Sequence, residues 1–311
     1  MHQWLNEWQA LYEHVWEKPY EKENSIHLET LEKMMGLMLD AWISMDEKFQ
    51  TLVDRMEEEP QAVTYESAGT RLFQSERFEE AAEALASERA TGQADTMREL
   101  YAGFACLYAN KLERAREHFL FVLQAGRDVL LEHFAHIGLG LHAVLVHEME
   151  AAISQFEQAK SLTDNADVVY NLGVCYYVIH AHESAAYCFA EYAKEHREDT
   201  EALYFLGLSL MKAGRFEEGR GVWLKCAESL KETEALQALA HRSEWFGEHE
   251  LACYCYEQMM FIAGQTQASL HGFAWNKALL GDERAVNLLA SLGETDPEAH
   301  VSWQLLANHW Q

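Results

Sequence analysis

Apolar positions along this chain recur at helical spacing, and the pattern itself recurs. One block reads Val169-x-x-Leu172-Gly173-x-x-Tyr176, followed by Ala185-x-x-x-Phe189. The same layout returns as Tyr65-x-x-Ala68-Gly69-x-x-Leu72 with Ala81-x-x-x-Leu85, and as Glu99-x-x-Ala102-Gly103-x-x-Cys106 with Ala115-x-x-x-Phe119. It returns again as His136-x-x-Leu139-Gly140-x-x-Ala143 with Ala152-x-x-x-Phe156, and as Leu203-x-x-Leu206-Gly207-x-x-Leu210 with Gly219-x-x-x-Trp223. A sixth copy pairs Leu236-x-x-Leu239-Ala240-x-x-Ser243 with Ala252-x-x-x-Tyr256, and a weaker seventh begins at Leu270-x-x-Phe273-Ala274. Each copy predicts two amphipathic helices.

The small residue of the first helix falls at Gly69, Gly103, Gly140, Gly173, Gly207, Ala240 and Ala274, in steps of 34, 37, 33, 34, 33 and 34 residues. A helical glycine costs about 1 kcal/mol relative to alanine. Five at one phase therefore imply a close approach of two helix backbones. The small residue twelve positions later supplies the facing surface, and the bulky residue four further on is expected to fill the space toward the next repeat.

This signature resembles the tetratricopeptide repeat family, whose unit is a 34-residue helix–turn–helix. The resemblance covers roughly residues 62–292 and implies an all-α, right-handed α-solenoid of about seven repeats. The expected organisation is a helical N-terminal cap region at 1–60, the repeat array at 61–296 and a closing helix at 297–311. Asn110, Gly214, Gly247 and Gly281 occupy the slot between paired helices and accept the left-handed conformation that ends a helix. His147 and His180 share that slot. Thr96-x-x-Glu99 reads as a capping box. The 37-residue step implies three extra residues near Gln124–Arg127.

In the flanks, Trp4, Leu5, Trp8, Leu11, Tyr12, Val15 and Trp16 form one stripe over 3–17, and 25–58 is a long apolar-periodic stretch. Such a stretch is one helix or a degenerate repeat. Asp296-Pro297 predicts the start of the closing helix, with Val301, Leu305 and Leu306 inward.

The resemblance implies where a function would sit. In that family the first helices line a concave face that binds an extended or helical peptide. Carried over, the face holds Leu100, Phe104 and Tyr108 in the second repeat, Ile137 and Leu141 in the third, Tyr170, Asn171, Val174 and Tyr177 in the fourth, Tyr204, Leu208 and Lys212 in the fifth, and His241 and Trp245 in the sixth. The middle of this groove is predominantly apolar. Such a stripe needs a cover: a partner's segment, the N-terminal helix or a second copy of the chain, unless curvature buries it. Asn171 matches one position of the family's clamp for a C-terminal acidic tail, but Tyr170, Val174 and Tyr204 stand where its cations would be. Glu66, Asp167, Glu201, Glu234 and Glu244 at the edges favour a protein or peptide partner that is apolar with basic flanks. An acidic residue at Tyr177 is expected to abolish groove binding while sparing the fold.

Charge narrows the partners further. The 311 residues hold 24 Lys+Arg and 51 Asp+Glu, a formal net charge of −27. That balance disfavours nucleic acid and anionic membrane surfaces. The longest nearly apolar run, 134–146, is too short to span a bilayer, and residues 1–8 carry no basic stretch of the kind a secretory leader has. Six cysteines without Cys-x-x-Cys spacing suit buried free thiols and a cytoplasmic setting. No nucleophile elbow, phosphate loop, zinc-protease or calcium-loop pattern occurs, so neither catalysis nor a cofactor is expected. His133, His136, His142 and His147 cluster in one repeat, yet no carboxylate or thiol completes a metal-ligand set at regular spacing. The resulting expectation is a non-enzymatic adaptor. Alternatives are a peptide receptor using 1–60 as its output region, and a homodimer or larger assembly filling its own groove.

Overall fold

The computed structural model describes residues 10–15, 27–28, 30–35, 64–126 and 128–309. The chain divides into two compact units, Met1–Thr64 and Tyr65–Gln311. In the first, residues 10–15, 27–28 and 30–35 are helical, Leu31 is buried, and the His14 and His27 rings meet edge-on at 5.6 Å. Most of the expected tryptophan stripe and of the 25–58 stretch lies outside the described residues.

The second unit is a right-handed α-solenoid of paired helices, with no strand among the described residues. The pairs are α1 (Ala68–Gln74) with α2 (Phe78–Ser87), α3 (Gln93–Tyr108) with α4 (Leu112–Ala125), and α5 (Val129–Leu145) with α6 (Met149–Leu162). They continue as α7 (Ala166–Val178) with α8 (His182–Glu195), α9 (Thr200–Lys212) with α10 (Phe216–Ser229), and α11 (Thr233–Trp245) with α12 (His249–Ala263). The last pair is α13 (Gln267–Leu279) with α14 (Glu283–Leu292), and α15 (Pro297–His309) follows. Helices pack mainly on their neighbours in sequence, the signature of a quasi-one-dimensional array.

All seven turns inside the pairs use one device. The residue after the helix cap has positive φ: Glu76, Asn110, His147, His180, Gly214, Gly247 and Gly281. The next residue's N–H then bonds back to the third-last carbonyl of the helix, as in Lys111 N to Cys106 O and Ala181 N to Tyr176 O, at 2.7–3.0 Å across the set. This is a Schellman ending, and it satisfies carbonyls that a helix terminus would otherwise leave open. Several first helices start from side-chain caps, among them Asp128, Asn165 and Asp199. The capping boxes are Ser67/Thr70 and Thr266/Ser269. Thr96 is not one: α3 begins at Gln93 after Gly92, so Thr96 lies inside the helix.

Each glycine at the repeated small position stands against the bulky residue sixteen positions on. A Cβ at Gly69 would sit 2.5 Å from Leu85 Cγ, at Gly103 2.6 Å from Phe119 Cε1, at Gly140 2.6 Å from Phe156 Cε1 and at Gly173 3.0 Å from Phe189 Cε1. At Gly207 it would strike the Trp223 indole. The bulky residue therefore fills its own repeat first, and only then reaches the next one. Phe119 also abuts Gly138, Tyr256 abuts Gly272, and Phe189 stacks on Phe205 with centroids 5.7 Å apart. Leu85, Phe119, Phe156, Phe189, Trp223 and Tyr256 are all buried and form the core along the array, with Phe205 half-buried beside them.

Two further expectations change. The three extra residues of the third repeat are not in the connection, which is as short as elsewhere. They lengthen the first helix: α5 has 17 residues where α7, α9, α11 and α13 have 13. In α15, Leu306 and Ala299 are buried, but Val301 and Leu305 are each 55% exposed. They occupy the side of α15 turned away from α13 and α14. The six cysteines are free and buried. Burial pushes the thiols of Cys175, Cys188, Cys226 and Cys253 up to about 11 and that of Cys255 up to about 12. They are packing residues and poor nucleophiles at neutral pH.

Candidate functional site

The first helices present a common register, because every one is measured from the same small residue. Five positions on from it stand Gln74, Tyr108, Leu145, Val178, Lys212, Trp245 and Leu279, one per repeat. All are exposed, Tyr108 by 54% and Trp245 by 78%. Five of the seven are apolar or aromatic. They form a ladder along the C-terminal edge of the first helices.

The inner rows are deeper. Phe104, Ile137, Leu141, Tyr170, Asn171, Val174, Tyr177 and Tyr204 are half-buried, whereas His241 and Lys212 are exposed. Leu100 and Leu208 are buried, with Leu208 only 3% exposed, so these two belong to the core and present nothing to a ligand. The physical reason is neighbour packing. Each sits where consecutive repeats meet, and the next repeat covers it. Tyr177 is also more structural than expected. Its ring lies 5.4 Å from His182 and 6.1 Å from Phe205, so an acidic residue there would disturb the fold as well as the surface. Asn171 Nδ2 donates to Asp167 O at 2.8 Å, a bond within its own helix.

The half-buried aromatics are tied together. Tyr204 O accepts from Trp223 Nε1 at 3.0 Å, and Tyr204 OH accepts from Arg242 Nε at 3.2 Å, which links the fifth repeat to the sixth. Tyr170 packs on Phe189 and Tyr192. Burial and the Glu201 carboxylate raise its phenol pKa, so it stays a neutral donor. Lys212 lies over the Phe246 ring at 5.6 Å, a cation–π contact. The expected edge carboxylates Glu66, Asp167, Glu201 and Glu234 are exposed, and Glu244 is half-buried.

Two histidines of the cluster have structural partners, and His142 is buried with no hydrogen-bond partner for its Nε2 among the described residues. His133 is buried, its Nδ1 2.8 Å from Ala159 O and its Nε2 3.2 Å from Asn165 Nδ2. Those partners assign the proton to Nδ1. His136 Nδ1 lies 2.8 Å from Gln155 Oε1, and His147 and His180 are exposed turn residues. Among the described residues no three His, Cys, Asp or Glu side chains converge as a metal site would require, and no helix is long and apolar enough to cross a membrane.

A polar cleft near the C-terminal end was missed in the sequence. It has a volume of about 620 Å3 and lies between α11, α13 and the start of α15, bordered by His241, Glu244, Tyr256, Trp275, Asp296 and Glu298. Extending the five-position register into the seventh repeat would have placed His271, Trp275 and Leu279 on the same face. Asp296 and Glu298 come from outside the repeats, where no periodicity points to them.

No protein-family model matches the sequence, and no curated protein matches it. Solved structures are similar in fold. The C-terminal part of a TPR repeat-containing protein from Cytophaga hutchinsonii is 14% identical, with 75% of this chain and 97% of that chain covered and a TM-score of 0.56. YrrB, described as a TPR protein with an unusual peptide-binding site, is 18% identical, with 66% of this chain and 97% of that one covered and a TM-score of 0.48. MamA is 20% identical, with 53% and 96% covered and a TM-score of 0.48. The likeness to the Cytophaga structure establishes a TPR-like solenoid and stops there.

Proposed function

We propose that the chain is a tetratricopeptide repeat protein acting as a non-enzymatic adaptor, holding a protein or peptide segment along the concave face of its first helices. One observation carries this reading. Tyr108, Leu145, Val178, Trp245 and Leu279 stand exposed at one register in five repeats, above the half-buried row of Phe104, Leu141, Val174 and Tyr177. Scattered exposed apolar residues are ordinary on a protein surface, but their recurrence at one register, interrupted by Lys212 in the fifth repeat, is not. The protein carries a net charge of −27, and exposed Asp167, Glu201 and Glu234 stand in the first turns of the same helices, at the opposite end of the face from the row. A segment with apolar anchors and basic flanks is complementary to that arrangement. In this reading the array spans 61–296, 297–311 closes it, and the free buried thiols suit a reducing cytoplasm.

The test is peptide selection against the full chain from a random library. Selected sequences should combine two or more large apolar residues with flanking Lys or Arg. Val178→Glu, which adds a charge at an exposed rung, should abolish their binding with an unchanged melting curve. Acidic selected peptides, or undiminished binding by folded Val178→Glu, refute the proposal. Self-association is the second reading, favoured by the exposed Val301 and Leu305 at the array's end. Sedimentation equilibrium at a multiple of 35.7 kDa that falls to one chain in Leu305→Glu would support it.

A further inference from the structure

The face changes chemistry along its length. The register positions held by Ile137, Leu141 and Val144 in α5 are Gln237, His241 and Glu244 in α11, and His271, Trp275 and Ala278 in α13. The apolar trough thus runs into the polar cleft, whose wall carries three carboxylates (Glu244, Asp296 and Glu298) and no lysine or arginine.

One of these carboxylates is built in. Glu244 Oε1 accepts from Tyr256 OH at 3.2 Å and from Asn276 Nδ2 at 2.6 Å. Asn276 is fully buried and is itself fixed, since its Nδ2 also donates to Gly272 O at 2.8 Å and its Oδ1 lies 2.8 Å from His249 Nδ1. Burial and Glu244 raise the Tyr256 phenol pKa, so it stays protonated and donating. Both donors end on Oε1. Oε2 accepts no hydrogen bond among the described residues. A half-buried carboxylate held from behind, with one oxygen open to a cleft, is pre-organised for a cationic donor.

The N-terminus of α15 argues the other way, because its roughly half-unit positive partial charge favours anions. The chain has already answered it. Asp296 Oδ1 accepts from Glu298 N at 3.0 Å, and Glu298 adds a second negative charge in the same first turn. An anion entering the cleft would meet three carboxylates; a cation would meet those carboxylates and the Trp275 indole.

We propose that this cleft is a receptor pocket for an arginine side chain of the bound partner, with Glu244 Oε2 as the acceptor and Trp275 as the ring beside it. A guanidinium suits the site better than an ammonium. It is planar, forks onto carboxylates and is more weakly hydrated, so it loses less on entering a half-enclosed cleft. This inference deepens the adaptor reading by naming what its partner's basic flank supplies. It depends on that reading only for the identity of the molecule bearing the arginine.

The test uses N-acetyl-arginine methylamide, too short to reach the trough, against the full chain labelled with 15N at tryptophan. The indole signal of Trp275, assigned through Trp275→Phe, should shift saturably. The lysine analogue should bind several-fold more weakly, and the neutral citrulline analogue should give no shift over the same range. Glu244→Gln should weaken arginine binding at least tenfold. Glu298→Gln should weaken it about twofold without moving the melting curve, and it carries the test if Glu244→Gln fails to fold. Equal shifts from citrulline and arginine, or unchanged affinity in both folded variants, overturn the pocket. Val178→Glu should leave the arginine probe untouched. Loss of long-peptide binding with the probe retained, in any trough variant, therefore separates failure of the trough from failure of the pocket.

Discussion

Gly207→Ala and Gly221→Ala are the same chemical change in two different surroundings, and they should move stability in opposite directions. Both glycines are helical, Gly207 in α9 and Gly221 in α10. Helix propensity alone favours alanine by about 1 kcal/mol at each. Gly221 has nothing within 4 Å of where a Cβ would stand, so it should keep that gain in full. At Gly207 the Cβ would strike the Trp223 ring, with even Cγ only 2.9 Å away. Trp223 has no easy retreat. It is fully buried, its Nε1 donates to Tyr204 O at 3.0 Å, and its ring is flanked by Tyr204 at 6.2 Å and Phe246 at 5.7 Å. Overpacking a filled core costs about 1–3 kcal/mol, and a broken Trp223 hydrogen bond adds about 1 kcal/mol. Set against the propensity gain, the net loss is about 1–3 kcal/mol. Urea unfolding followed by far-UV circular dichroism should show a lower midpoint for Gly207→Ala and a higher one for Gly221→Ala. A Gly207→Ala midpoint at or above that of the parent would refute the idea that the repeated glycine exists to admit the bulky side chain. Gly173→Ala grades the effect. Its Cβ would stand 3.0 Å from Phe189, so its loss should fall below that of Gly207→Ala.

Glu76, His147 and His180 hold the left-handed turn position that glycine fills in the later repeats. That conformation costs a non-glycine residue about 1–2 kcal/mol, so His180→Gly, at an exposed site, should raise the melting temperature. A fall would show that the imidazole contributes more than its strain removes. The hydrogen bond with the Cys106 sulfur and then the Glu99 carboxylate raise the His118 pKa from 6.5 to about 9, against the pull of burial. A raised value means the contribution is fully present below about pH 6.5 and lost as pH climbs through about 9. The stability gap between the parent and His118→Gln should therefore be wide at pH 6 and nearly closed at pH 10, and a gap independent of pH would rule out the charged pair.

The repeat, its period and its turns were legible in the sequence because each depends on residue size or backbone tolerance at a fixed spacing. A helix that approaches a phenyl ring shows as Gly103 or Gly140, and a left-handed turn shows as Asn110 or Gly214. Depth was not legible in the same way. A period of 3.6 fixes which side of a helix a residue occupies, but the same side contains Leu208, buried by the next repeat, and Trp245, almost wholly exposed. What separates them is the next helix pair, a tertiary fact that local spacing does not carry. The same limit explains Val301 and Leu305, expected inward with Leu306 on the closing helix, where only Leu306 of the three is buried. It also explains the extra residues of the third repeat, which a period count places in a connection but which add a turn to α5 instead. The cleft was hardest to see because its members come from different sources. Glu244 lies in the repeat register, Asn276 supports it from the next repeat, and Asp296 and Glu298 belong to no repeat at all. Where binding chemistry is assembled across the end of an array, the breakdown of the pattern is itself the clue: the trough turns polar at Gln237, His241 and Glu244, one repeat before the cleft closes around them.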